Sequence, residues 1–207
     1  QGGFNMIDKV QGKRIANDKN EYLIALFKEL AKGWEPPTHI SEEQYKDIKD
    51  NKDNYEKHLV WFVGFGCSFG AKWFGGYARG NNPNAIRNRT LESRNNLLKQ
   101  APKIRGVEMY STDYYELDIP NDSIVYCDPP YRNTTRYKDQ LDYDHFWNWC
   151  ITLSMEGNNR VYVSEYNAPQ HLIDSGDVTC VWEKPLSTTL SRNTEYKNLS
   201  LIHISEP

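Results

Sequence analysis

A short apolar run, Ser123-Ile-Val-Tyr-Cys127, stops abruptly at Asp128-Pro129-Pro130-Tyr131, and this junction limits the fold more than any other feature of the sequence. Two consecutive prolines remove two amide donors and fix two φ angles, so no central sheet ladder continues through them. The run is continuous rather than alternating, which is the pattern of a strand buried in a parallel sheet. The sequence downstream agrees. Asp142 suits a helix cap ahead of Phe146, Trp149, Cys150 and Leu153, and Gly157-Asn158-Asn159 suits the helix end. Residues 160–164 and 178–182 read as two more strands. Strand, helix and strand at this spacing predict a right-handed parallel crossover and an α/β fold.

The first half is less regular. Arg14-Ile-Ala-Asn-Asp18 reads as a strand and turn, and Asn20 as the cap of a helix with Leu23, Leu26, Phe27 and Leu30 on one face. Gly33 and Pro36-Pro37 stop that helix, and Ser41 caps a short one beginning Glu42-Glu43. Residues 61–80 hold six glycines and seven aromatics. Helical spacing returns over 83–100, with Ile86, Leu91 and Leu98 facing inward and Arg87 and Arg94 on another face.

Composition sets bounds on this reading. Six Trp, 14 Tyr and 7 Phe in 207 residues need a packed interior, which excludes a disordered chain. No apolar run reaches the roughly 18 residues of a membrane span, and residues 1–13 lack the pattern of a signal peptide. Cys67, Cys127, Cys150 and Cys180 are scattered, which argues for a reduced compartment and against a disulfide scaffold or structural zinc. The net charge is −3, but residues 72–105 carry eight basic residues and one acid, leaving 17 basic against 27 acidic elsewhere. Such polarisation points to one lobe facing an anionic partner. Both ends read as cut: the chain opens at Gln1-Gly2-Gly3-Phe4, and 199–207 reads as a non-native tail.

In an open α/β sheet, ligands sit beyond the carboxyl ends of the strands, where Asp128 to Tyr131 would lie. Asp128 is an acceptor-only carboxylate, the prolines leave a stiff main chain that presents carbonyls, and Tyr131 offers a flat ring. The set suits a planar group bearing an exocyclic amine.

Tyr126-Cys127-Asp128-Pro129-Pro130-Tyr131 resembles the catalytic motif of the Dam-like, D12-class DNA adenine methyltransferases. Other segments follow in the same order. Asn17-Asp18-Lys19-Asn20 resembles the family's Asn-Asp-x-Asn segment, and Asp113-Tyr114 its Asp-aromatic element. Residues 161–167 fall where the family has a strand ending in Ser and polar residues beside the target base. Residues 190–197 resemble the segment before the last strand.

The resemblance implies a Rossmann-like, S-adenosylmethionine-dependent methyltransferase sheet, with a catalytic domain over 1–33 and 106–198 and an inserted target-recognition lobe over 34–105. It implies that Asp128, Pro129, Pro130 and Tyr131 are catalytic. Gly2, Gly3, Asp18, Asp113, Tyr114 and Asp128 would bind S-adenosyl-L-methionine, Asp18 through the ribose and Asp113 at the adenine. Lys72, Trp73, Tyr77, Arg79, Arg87, Arg89 and Arg94 would contact double-stranded DNA, and no metal is expected. A cytoplasmic setting in a bacterium or phage-infected cell is implied, with a cognate restriction endonuclease acting on the same site as a further partner.

The family's opening Lys-Trp-x-Gly-Gly-Lys segment is absent, and only Gly2-Gly3-Phe4 matches the tail of its Phe-x-Gly-x-Gly turn. A rival cofactor turn at Gly64-Phe65-Gly66 fails, because no acid for a ribose occurs between Glu56 and Glu92. Two alternatives stay open on the sequence: a cytosine-directed enzyme using the same acceptor pocket, and a DNA-binding fragment without turnover.

Overall fold

The computed structural model describes residues 6–7, 9–78, 88–130, 141–185 and 198–204. The chain divides into two compact units, Gln1–Leu117 and Asp118–Pro207. The fold is mixed α/β. Residues 34–105, expected as an inserted lobe, fall entirely within the first unit.

In the first unit, β1 (Ile15–Asn17) leads through a turn into α1 (Glu21–Lys32). Asn20 caps α1 as expected, its side chain accepting from the Tyr22 and Leu23 amides at 3.1 and 3.2 Å. Gly33 ends the helix in the left-handed region at φ 102°, where a Cβ would be strained. The buried face is Leu23, Ile24, Leu26, Phe27 and Leu30, the 3.6-residue stripe with one added position. α2 (Glu42–Asp50) starts with a Ser41–Gln44 capping box and buries Tyr45 and Ile48.

α3 (Lys57–Trp61) packs on α1 and runs into a π turn over Phe62–Gly66. The glycine-rich stretch is therefore helical and then turned, with Val60, Phe62 and Val63 fully buried. α4 (Arg89–Gln100) is capped by Asn88 and buries Thr90 and Leu97. Leu91, expected to face inward, is exposed and Leu98 is half-buried, while Ile86 lies outside the described residues. The inward stripe expected for α4 is thus corrected by the packing. β2 (Glu108–Tyr110) pairs parallel with β1 in the register Ile15↔Glu108, Ala16↔Met109, Asn17↔Tyr110.

The second unit holds β3 (Ile124–Cys127), α5 (Tyr143–Gly157), β4 (Arg160–Glu165), α6 (Gln170–Ser175), β5 (Val178–Pro185) and β6 (Asn198–Ile204). β3 and β4 are parallel, as the crossover pattern predicts. The strand order is β3-β4-β6-β5, with β6 antiparallel to both neighbours. Parallel strands continued by antiparallel ones are a common form of large α/β sheet. Residues 199–204, expected in a tail, lie in β6 between β4 and β5. Val161, Val163, Ile202 and Ile204 are each 2% exposed or less. Each such side chain contributes about 1.5–3 kcal/mol to stability.

Two expectations for this unit are corrected. β3 is not buried: Ile124 is 64% and Tyr126 41% exposed, and β3 stands at one end of the strand order. On α5 the buried side chains include Trp147 and Ser154, while Trp149 and Leu153 are only half-buried. With Trp147 and Trp149 two positions apart, spacing alone did not choose between them. Asn159, 1% exposed, ties the end of α5 to the start of β3, accepting from the Ser123 amide at 2.8 Å and donating to the Leu153 carbonyl at 3.0 Å.

Asn20→Ala should cost about 1 kcal/mol of stability through the lost α1 cap. Urea unfolding of the two proteins measures this, and an unchanged midpoint would show that α1 does not depend on its cap.

Candidate active site

In each unit, candidate residues lie at the carboxyl ends of a parallel strand pair. In the first unit, Asp18 follows β1, and its Oδ1 accepts the Asn20 amide at 2.7 Å, an Asx turn that presents Asn20 to α1. Asp18 is therefore not the helix cap. Burial pushes its carboxyl above the ordinary range, and the Asn20 hydrogen bond offsets part of that rise.

Asp113 and Tyr114 follow β2. The Asp113 backbone is extended, and its side chain does not cap the helical turn Tyr114–Glu116 that it precedes. Instead Oδ1 lies 3.2 Å from Lys19 Nζ, and the Tyr115 hydroxyl reaches Oδ2 at 3.5 Å. Tyr114 meets Tyr115 edge to face, with ring centroids 5.2 Å apart. β1 and β2 are thus neighbours whose ends place Asp18, Asp113 and Tyr114 on one side of one strand pair. Gly2 and Gly3 lie outside the described residues.

In the second unit, Asp128, Pro129 and Pro130 follow β3 directly, and Asp128 is exposed. The Tyr143 hydroxyl at the start of α5 donates to the Pro130 carbonyl, so helix and motif are pinned together. Tyr126 stands two residues before Asp128. Burial pushes its phenol up and the Asp128 charge adds to the rise, against a hydrogen bond with the Ser164 hydroxyl on β4. Ser164 and Glu165, at the end of β4, are 4% and 2% exposed, and Glu165 Oε1 accepts the Tyr166 amide at 2.7 Å. Tyr131 lies outside the described residues.

Four of the basic and aromatic candidates of the first unit, Trp73, Tyr77, Arg89 and Arg94, have internal partners. Trp73 packs against Phe65, Phe74 and Tyr22 at centroid distances of 5.0, 4.8 and 5.6 Å, with 38% of its surface exposed. It covers Gly64 so closely that a Cβ there would lie 2.6 Å from the indole, which explains why glycine stands at that position. The Tyr77 hydroxyl donates to the Ile40 carbonyl at 2.7 Å. Arg94 donates to the Pro36 carbonyl at 2.9 Å and pairs with Glu35 at 2.5 Å. Arg89 faces Glu92 at 3.8 Å, one turn along α4. Lys72 follows the Phe69–Ala71 turn, and Arg79 and Arg87 lie outside the described residues. Lys19, Thr112 and Tyr143 carry no local signal of a role in the sequence, because their partners lie in other segments of the chain.

Among the described residues no helix is long and apolar enough to cross a membrane, and no group of three or more His, Cys, Asp or Glu is arranged to hold a metal ion.

The acceptor set suits S-adenosylmethionine in chemical kind. An ionised carboxylate accepts from the two hydroxyls of a ribose, and a second accepts from a purine amine beside an aromatic ring. Asp18 keeps acceptor capacity beyond the single Asn20 bond, and Asp113 lies beside Tyr114.

Residues 70–175, just over half of the chain, match the family model described as D12 class N6 adenine-specific DNA methyltransferase. No curated protein matches the chain. The matched family acts on adenine, which decides between the adenine and cytosine readings of the acceptor pocket.

The raised Asp18 carboxyl has a thermodynamic consequence. The native group holds its proton more tightly than the unfolded chain does, so stability falls as pH rises from the ordinary 3.8 through the raised native value. Asp18→Asn keeps an acceptor for the Asn20 amide and removes the charge. It should be more stable than the wild type at about pH 7 and should lack this fall, as urea titrations at about pH 4 and pH 7 would reveal. A variant less stable at the higher pH would mean that the carboxylate supports the fold.

Proposed function

The chain belongs to the D12 class of N6 adenine-specific DNA methyltransferases, and from that premise we propose which of its residues carry the reaction. The reading rests on one observation above the others: Asp128-Pro129-Pro130 leaves the carboxyl end of β3, parallel to β4, with its backbone held by Tyr143.

The adenine amine is a poor nucleophile because its lone pair is conjugated with the ring. In this reading the Asp128 carboxylate and the Pro129 carbonyl accept its two N–H bonds. Those acceptors favour a pyramidal nitrogen and stabilise the positive charge that grows on it. The two prolines fix the carbonyl direction, so the site needs little reorganisation during reaction. Tyr131 stacks on the base once it has left the duplex, offsetting part of the unstacking cost. S-adenosylmethionine, when bound, would supply an electrophilic methyl group, leaving as S-adenosylhomocysteine while the amine's surplus proton passes to solvent. Asp18 holds the ribose, Asp113 and Tyr114 the adenine end, and Gly2 and Gly3 the methionine end.

The fold reading that accompanies this is a Rossmann-like catalytic domain built from 1–33 and 106–198, with β6 running on to Ile204 and a target-recognition lobe over 34–105. Lys72, Arg79, Arg87, Arg89 and Arg94 are assigned to the phosphates and groove of double-stranded DNA. Trp73, 38% exposed, and Tyr77 are assigned to the same contact. Glu35 and Pro36 hold the Arg94 guanidinium in a set direction. A restriction endonuclease of the same specificity, in a bacterial or phage-infected cytoplasm, is the partner such an enzyme would serve.

Asp128→Ala should abolish methyl transfer, by about 10²-fold or more in single turnover, because it removes an acceptor that matters chiefly in the transition state. DNA affinity should stay within a few fold, since no phosphate contact is lost. Filter binding and methyl incorporation on the same preparation measure both, and a near wild-type rate would overturn the assignment.

A further inference from the structure

The ends of β1 and β2 carry a side-chain arrangement that the assigned residues do not account for. Asn17, the last residue of β1, faces the main chain of Thr112. Its Nδ2 donates to the Thr112 carbonyl at 3.0 Å, and its Oδ1 accepts the Thr112 amide at 3.1 Å. The last main-chain link between the two segments is the Asp18 amide on the Tyr110 carbonyl, at 3.3 Å. One carboxamide thus continues the parallel ladder two residues past Tyr110 and stops immediately before Asp113. Lys19 adds its ion pair with Asp113, and the Ser111 hydroxyl donates to the Lys19 carbonyl at 3.4 Å.

Among uncharged side chains, an amide matches a peptide group on both sides, donor to carbonyl and acceptor to N–H. An aspartate at position 17 would set an acceptor against the Thr112 carbonyl, and an alanine would leave both Thr112 groups without this partner. Lys19 cannot replace the link, because an ammonium on a flexible stem neutralises a charge without fixing its direction.

We propose that Asn17 is a positioning residue for purine selection: by holding both main-chain polar groups of Thr112 it fixes the Asp113 carboxylate, so that the site accepts a 6-amino purine and rejects a 6-oxo purine. This rests on the cofactor reading given above. A carboxylate accepts from an amine, whereas an oxo group in that place sets acceptor against acceptor. That contrast discriminates only if the carboxylate cannot turn aside, because a site rejects an analogue strongly when its own polar group is left unpaired.

The test is calorimetric titration of the full chain with S-adenosylhomocysteine and with S-inosylhomocysteine. The wild type should prefer the adenosyl compound by about tenfold or more. Asn17→Asp and Asn17→Ala should bring that ratio to about threefold or less, mainly by weakening the adenosyl compound. A merely structural role for Asn17 would weaken both compounds alike and leave the ratio unchanged, which would overturn the inference while the cofactor reading stands. A wild type that binds neither compound, or binds both equally, would overturn the cofactor reading and this inference together. Should Asn17→Ala fail to fold, the isosteric Asn17→Asp gives the same ratio. Asp113→Asn, whose amide can donate to an oxo group, should shift preference toward the inosyl compound, and an unchanged preference there would also overturn the proposal.

Discussion

Parallel pairing brings the carboxyl ends of neighbouring strands to the same side, and the roles proposed for Asp18, Asp113, Tyr114 and Asp128 depend on that. β1 with β2 gathers Asp18, Asp113 and Tyr114, and β3 with β4 gathers Asp128, Tyr126 and Ser164. An antiparallel pairing of the same strands would send half of these residues to the opposite edge. The loops beyond the strands are held by side chains. Asn17 grips Thr112 and Tyr143 grips Pro130, while at the opposite, amino end of β3 Asn159 joins it to α5.

These links carry opposing energetic demands. Asp18 is buried enough for its carboxyl to resist ionisation, although a ribose contact is strongest with the charged form. Most of the first unit's interior lies among α1, α3 and the π turn, where Leu26, Phe27, Leu30, Val60, Phe62 and Val63 are almost fully enclosed, and it reaches the strands through Ala16 and Met109. The thiols show burial acting without an opposing demand. Cys67 is pushed up to about 11 by burial, and Cys150 is raised by its hydrogen bond with Cys127 and by burial. Both are therefore poor nucleophiles at neutral pH.

Much of this was legible in the sequence where the signal is local. Caps at Asn20, Ser41 and Asp142, the stop at Gly33, and the strand before two prolines all depend on residues a few positions apart. The parallel relation of β3 and β4 followed from the helix between them. What sequence could not supply are contacts across long separations. Asn17 and Thr112 lie 95 positions apart, and nothing near either residue indicates the other. Helix faces are ambiguous in the sequence where apolar residues crowd, as at Trp147 and Trp149, or where a small polar residue takes the inward place, as Thr90 does on α4. The aromatic segment was legible as unusual but not as a π turn with Trp73 closed over Gly64, because that shape depends on which rings reach back.

The order β3-β4-β6-β5 bears on how the second unit is made. β6 comes after β4 and β5 in the chain yet lies between them, paired with both. While the polypeptide emerges from its N-terminal end, β4 and β5 have no ladder joining them until residues 198–204 arrive. Until then each presents an open row of amides and carbonyls, and such a row invites pairing with other chains. Synthesis that halted before Asn198 would therefore leave two strands with a gap between them, not a sheet with a frayed margin. For this unit, assembly is gated by the arrival of the strand that bridges that gap.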